Sequence, residues 1–115
     1  MAGIYDVTIE QGATFSMRMT YRDSANAIVD LTGYTARMQV RPYHSSSKVI
    51  LECSTANQTI TLGGLLGTIL VQATSVVTAA LAAGTGVYDL ELYSPIGTTV
   101  RLIEGRVTIS PEVTR

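Results

Sequence analysis

Apolar and polar residues alternate one for one along most of this chain, and that period of two constrains its fold more than any other feature. Residues 13–21 set Phe15, Met17, Met19 and Tyr21 against Thr14, Ser16, Arg18 and Thr20. Such a pattern lays one face of an extended strand on a core and leaves the other in water. Residues 34–41 repeat it, with Tyr34, Ala36, Met38 and Val40 inward and Thr35, Arg37, Gln39 and Arg41 outward. Val49, Leu51 and Cys53 alternate with Ile50 and Glu52, and residues 59–62 and 68–73 give two shorter runs around the Gly-Gly-Leu-Leu-Gly turn at 63–67. Residues 87–93 and 98–109 close the series, and residues 4–9 supply a short leading strand. Seven or eight short strands at this spacing predict an all-β fold, an antiparallel immunoglobulin-like β-sandwich, as a single domain over residues 1–115.

Turn chemistry refines the pairing. In Ser94-Pro95-Ile96-Gly97, Pro95 presets the first turn position and Gly97 tolerates a positive φ, which predicts a three-residue hairpin with a bulge at the glycine. That register sets Leu92 opposite Val100, Leu90 opposite Leu102 and Glu91 opposite Arg101. Continued alternation brings Glu104 to the core face opposite Tyr88. Either Gly105 is a bulge that resets the pattern, the favoured reading, or Glu104 is buried and needs Arg or Tyr partners. One segment breaks the period. Residues 75–83, SVVTAALAA, predict one or two helical turns capped by Ser75 and stopped at Gly84, with Val77 and Leu81 on the buried side.

Composition excludes several functions. Charged residues make up only 15% of the 115 positions, against roughly 25% in an average soluble protein. Sixteen threonines help to cover the surface. Eight Lys+Arg against nine Asp+Glu leave no basic platform for nucleic acid. The longest weakly polar run is far short of the ~20 residues a helical membrane span needs. No signal peptide is evident at the start, so the chain is expected to stay within a cell or within something built there. A lone cysteine rules out an internal disulfide.

Chemistry-bearing residues are sparse. His44 is the single imidazole and lies in the PYHSSS loop at 42–47, without the companions that metal binding or general-base work requires. Cys53 falls on an inward strand face and reads as a small buried hydrophobe. Asp89 and Glu91 share a strand face, and Arg101 opposite Glu91 makes them a charge-paired surface rather than an acid–base pair. The glycines at 63–67 lack the Lys-Ser/Thr of a phosphate loop. No enzyme, cofactor or metal site emerges. Of the six tyrosines, Tyr5, Tyr43 and Tyr93 are expected at the surface, where tyrosine marks protein interfaces. Arg18 faces outward with Arg22 just past the strand, and Arg37, Gln39 and Arg41 form an outward stripe that is basic at both ends. Arg37, Arg41, Tyr43, Tyr93 and the 42–47 loop are therefore the expected contacts with a partner.

A resemblance adds to this reading. Residues 30–41, DLTGYTARMQVR, residues 88–92, YDLEL, Gly12-Ala13-Thr14-Phe15, residues 101–105, RLIEG, and the ending SPEVTR carry it. In this order they resemble a family of small β-rich proteins found among the structural genes of tailed bacteriophages and prophages. The pattern is similar to the N-terminal domain of baseplate upper proteins, which anchors receptor-binding proteins to the tail. The resemblance implies a virion part, assembled in the host cytoplasm, that oligomerises with itself and joins other phage structural proteins. No catalytic motif comes with it. A baseplate upper protein continues beyond such a domain, whereas this sequence stops at Arg115, which leaves an adaptor, a plug or a decoration open; a tail or baseplate adaptor is the expectation. A capsid decoration protein is the alternative, with a carbohydrate-binding module behind it. A mean hydropathy of +0.27 fits a chain whose surface is covered by neighbours.

Overall fold

The computed structural model describes residues 3–114. Nine strands form within them: β1 (Gly3–Ile4), β2 (Val7–Glu10), β3 (Phe15–Thr20), β4 (Thr35–Arg41), β5 (Leu51–Ser54), β6 (Ile60–Leu62), β7 (Thr68–Ala73), β8 (Gly84–Tyr93) and β9 (Thr99–Ser110). The larger sheet runs β1-β9-β8-β4-β5, with β2 also on β9, and the smaller runs β3-β7-β6. Inward residues of both sheets meet between them. Met38, Val40, Leu90, Leu92 and Val107 from the larger sheet and Ile69 and Val71 from the smaller are fully buried. This is the expected sandwich, with the strand distribution of an immunoglobulin-like domain but no bridge between its layers. Cys53 sits on β5, buried and without a disulfide, so no covalent bridge joins the sheets.

The period of two holds for β3 and β4, where Phe15, Met17, Ala36, Met38 and Val40 point inward. It fails at Val49, which is exposed, because the loop after β4 runs on and β5 begins only at Leu51. The leading strand is split in two, and both parts run parallel to β9 rather than antiparallel, so the larger sheet is mixed. Val7 and Ile9 lie beside Val107 and Ile109, and the chain then turns through Gly12, at φ +79°, to enter the other sheet as β3. At the break between β1 and β2 the chain comes unusually close to β9. A Cβ on Gly105 would lie 2.3 Å from the Tyr5 carbonyl oxygen, so the strands touch there only because residue 105 has no side chain. The Asp6 carboxylate accepts from the Arg106 N–H at 3.0 Å, and the Tyr88 hydroxyl donates to the Tyr5 carbonyl at 2.5 Å. Burial pushes the Tyr88 phenol up to about 12.

The hairpin after β8 forms as expected. Gly97 has φ +89° and donates to the Ser94 carbonyl, and Leu92 faces Val100. Two residues further on the register shifts, so that Leu90 pairs with Ile103 and not with Leu102. The bulge therefore lies at Leu102 instead of Gly105. It turns Glu104 to the outer face opposite Asp89, which removes the need to bury a carboxylate.

The helical segment is shorter than expected. Helix α1 covers Ser75–Ala79, and its cap is Thr74, whose hydroxyl accepts from the Val77 N–H, rather than Ser75. Leu81 is buried as expected, but Val77 is 38% exposed and the residue of α1 that enters the core is Thr78. Its hydroxyl donates to the Ala13 carbonyl at 2.8 Å, which makes burial of a polar group tolerable and fastens α1 to the turn before β3.

Candidate interaction surfaces

On the outward face of the larger sheet, β4, β8 and β9 line up the charged residues. The bulge at Leu102 brings Arg101 between two carboxylates, with Nε 3.6 Å from Asp89 and Nη1 3.5 Å from Glu104. Glu91 remains the register partner of Arg101, yet its carboxylate accepts from the Tyr93 hydroxyl at 2.9 Å. The expected Glu91–Arg101 pair is thus replaced by Asp89–Arg101–Glu104, a consequence of the shifted register. Burial, and then Glu91, push the Asp89 carboxyl up, and Arg101 opposes them.

The residues expected as contacts share this face. The Arg37 guanidinium lies 6.0 Å from the centroid of the Tyr93 ring, at the outer limit of a cation–π contact. Tyr93 is half-buried, and burial together with its bond to Glu91 pushes its phenol up. Arg41 donates to the Ser46 carbonyl at 2.7 Å and to Gln39 Oε1 at 2.8 Å, which pins the 42–47 loop against β4. Gln39 in turn donates to Glu52 at 2.6 Å. Tyr43 is exposed on that loop, and His44 beside it borders a shallow cleft shared with Arg41, Asp89 and Glu104. Arg37 and Tyr93 are therefore brought together, the Tyr43 side chain is exposed, and Arg41 is committed within the fold. Tyr5 is exposed at the opposite margin, on the strand break beside β9.

The remaining chemistry-bearing residues stay apart. Burial pushes the Cys53 thiol up, which holds it protonated and unreactive at neutral pH. Among the described residues no group of three or more His, Cys, Asp or Glu is placed to hold a metal ion. No helix in them is long and apolar enough to cross a membrane.

A second surface lies at one end of the sandwich, where three loops meet. Leu31 donates to the Gly64 carbonyl at 2.9 Å, the Ile28 side chain and the Val29 carbonyl crowd Gly67, and Pro95 packs on Gly33. Loops 21–34, 63–67 and 94–97 are thereby held side by side. Each leaves large aliphatic side chains in water: Ile28 is 47% exposed, Leu65 76%, Leu66 68% and Ile96 88%. Single exposed aliphatics are ordinary, whereas these four come from three loops that meet at one end. Residue type alone does not single out these four. The available signal was Leu-Leu and Ile at the tips of glycine turns, where polar residues normally stand.

No protein-family model and no curated protein matches the sequence. Among solved structures, the chain is similar to the extracellular domain of the voltage-gated sodium channel beta4 subunit, described as a parallel homodimer with a role in cell–cell adhesion. There the identity is 10%, the TM-score 0.48, and 98% of this chain and 96% of the other are covered. A second structure, from work on multimeric cell-adhesive interactions of sodium channel beta subunits, has 11% identity, a TM-score of 0.45 and coverage of 96% and 93%. Neither likeness reaches the level at which a shared fold or role follows, and the sandwich assignment stands on this chain's own strand order.

Proposed function

We propose that this chain is a non-enzymatic structural protein of a tailed bacteriophage or prophage, an adaptor of the tail or baseplate that works through protein–protein contacts. The observation that carries the contact role is the apolar loop end, where Ile28, Leu65, Leu66 and Ile96 stand in water. Burying such side chains against a neighbour contributes ~1.5–3 kcal/mol each when complete. Three loops fixed to one another also present them with little conformational freedom left to lose on docking. Tyr43 and the Arg37–Tyr93 pair offer a second contact, on the outward face of the larger sheet. The placement in a phage tail rests on the sequence resemblance. Self-association is the other half of the reading.

Immunogold electron microscopy of particles from the phage or induced prophage that encodes the chain tests the placement. Label at the tail end is the expected result. Label over the head makes it a decoration protein, and label on neither removes the virion assignment.

A further inference from the structure

Four strand margins end the two sheets, and they are not equally protected. The β1–β2 margin is interrupted at Tyr5-Asp6, β5 has four residues and β6 has three. Short or broken edges of this kind resist pairing with another chain. Strand β3 is different. It pairs with β7 without interruption from Phe15 to Thr20, has no proline, glycine or bulge, and leaves its other side open. Among the described residues, no hydrogen bond to that open side is made from elsewhere in the chain. Alternate N–H and C=O groups therefore point into water along its length.

The side chains beside this edge are also exposed in an unusual way. Tyr5 is 55% exposed. With Met19 and Ile103, Tyr5 walls an apolar slot between the margins of the two sheets. On the outer face of β3 the only charge is Arg18, whose cross-strand neighbour on β7 is Leu70. It makes neither an ion pair nor a side-chain hydrogen bond among the described residues.

We propose that the open edge of β3 pairs antiparallel with β3 of a second copy, joining the two smaller sheets into one continuous six-stranded sheet across a two-fold axis at Met17. The sequence of the strand limits the register, and a second copy of β3 satisfies those limits. Side chains directly opposite one another in an antiparallel pair must lie on the same face, so only registers that match inward with inward residues are allowed. Centring on Arg18 would set two like charges against each other. Centring on Met17 sets Met17 against the partner's Met17, Phe15 against the partner's Met19, and Ser16 against the partner's Arg18. The inward residues are then all apolar and extend the interior into the slot, while each Arg18 gains a hydroxyl acceptor. This proposal deepens the self-association half of the reading above and is independent of placement in the virion.

Sedimentation of the full chain over a concentration series tests it, using exposed positions that leave the fold intact. The wild type is expected to dimerise. Ser16→Lys places two like-charge pairs across the axis and should raise the dimer Kd by about 2- to 30-fold, and Ser16→Glu should lower it by a similar factor. Ser16→Lys combined with Arg18→Glu restores opposite charges and should restore dimerisation, an outcome that no monomer-level effect predicts. A dimer indifferent to this series overturns the β3 interface and leaves self-association standing. A chain that stays monomeric at the highest concentration reached overturns both, with gold labelling of the tail unaffected.

Discussion

On the outward face of the larger sheet Arg101 lies 3.6 Å from Asp89 and 3.5 Å from Glu104, Arg41 is bonded to Ser46 and Gln39, and Tyr93 to Glu91. Along the open margin of the smaller sheet, among the described residues, Arg18 has no such partner and the β3 backbone is bonded on one side only. The first region holds more charge and the second has more unmet demand. Exposed ion pairs like those of Arg101 contribute little, ~0–1 kcal/mol, because water screens them and serves the charges nearly as well. A row of unpaired backbone groups beside exposed apolar side chains is satisfied more fully by another strand. The density of charged residues is thus a poor guide to where this molecule binds, and groups without partners are a better one.

The two regions differ at their surfaces, so the interior should treat the two sheets alike. Leu90→Ala in the larger sheet and Ile69→Ala in the smaller each remove a fully buried side chain, and each should cost about 2–5 kcal/mol in denaturant unfolding. A silent result at either position would mean that the sheets do not share one core. The next largest effect is a pH dependence of the larger sheet alone. Tyr88 has its phenol raised to about 12 in the folded chain, so its contribution is fully present below the ordinary tyrosine range near 10 and is lost as the pH rises through 12. Stability should fall by on the order of 2 kcal/mol across that window, and Tyr88→Phe should remove this part of the slope while losing the bond to Tyr5. The smallest effect belongs to the charged face. Asp89→Asn removes an exposed ion pair together with the repulsion from Glu91 and Glu104 that raises the Asp89 carboxyl, so thermal unfolding at neutral pH should register less than about 0.5 kcal/mol. A loss of several times that would show the charged face to be a stabilising network and erase the contrast drawn here.

Much of the fold was legible in the sequence, because alternation directly encodes which side of a strand meets the core. The inward faces of β3 and β4 and the hairpin at residues 94–97 follow from it. Other features were not, for reasons of degeneracy. Leu102 and Ile103 are both apolar, so alternation cannot say which one is the extra residue, and the displaced bulge changed the partner of Arg101. Thr74 and Ser75 are both good caps, and only the tertiary bond from Thr78 to Ala13 decides which face of α1 turns inward. A period of two also carries no direction, so the parallel pairing of β1 and β2 with β9 was invisible. At the candidate surfaces, residue type alone pointed to Arg41 and Tyr93, which the fold largely occupies. It passed over Ile28, Leu65, Leu66 and Ile96, whose importance comes from three loops meeting at one end.

The most direct test of the contrast between the two regions is amide hydrogen exchange at low and high protein concentration. Alternate amides of β3, those that point away from β7, should exchange slowly only in the concentrated sample, while amides of β4 and β8 exchange equally in both. Concentration-dependent protection on β4 or β8, with β3 unchanged, would contradict the account.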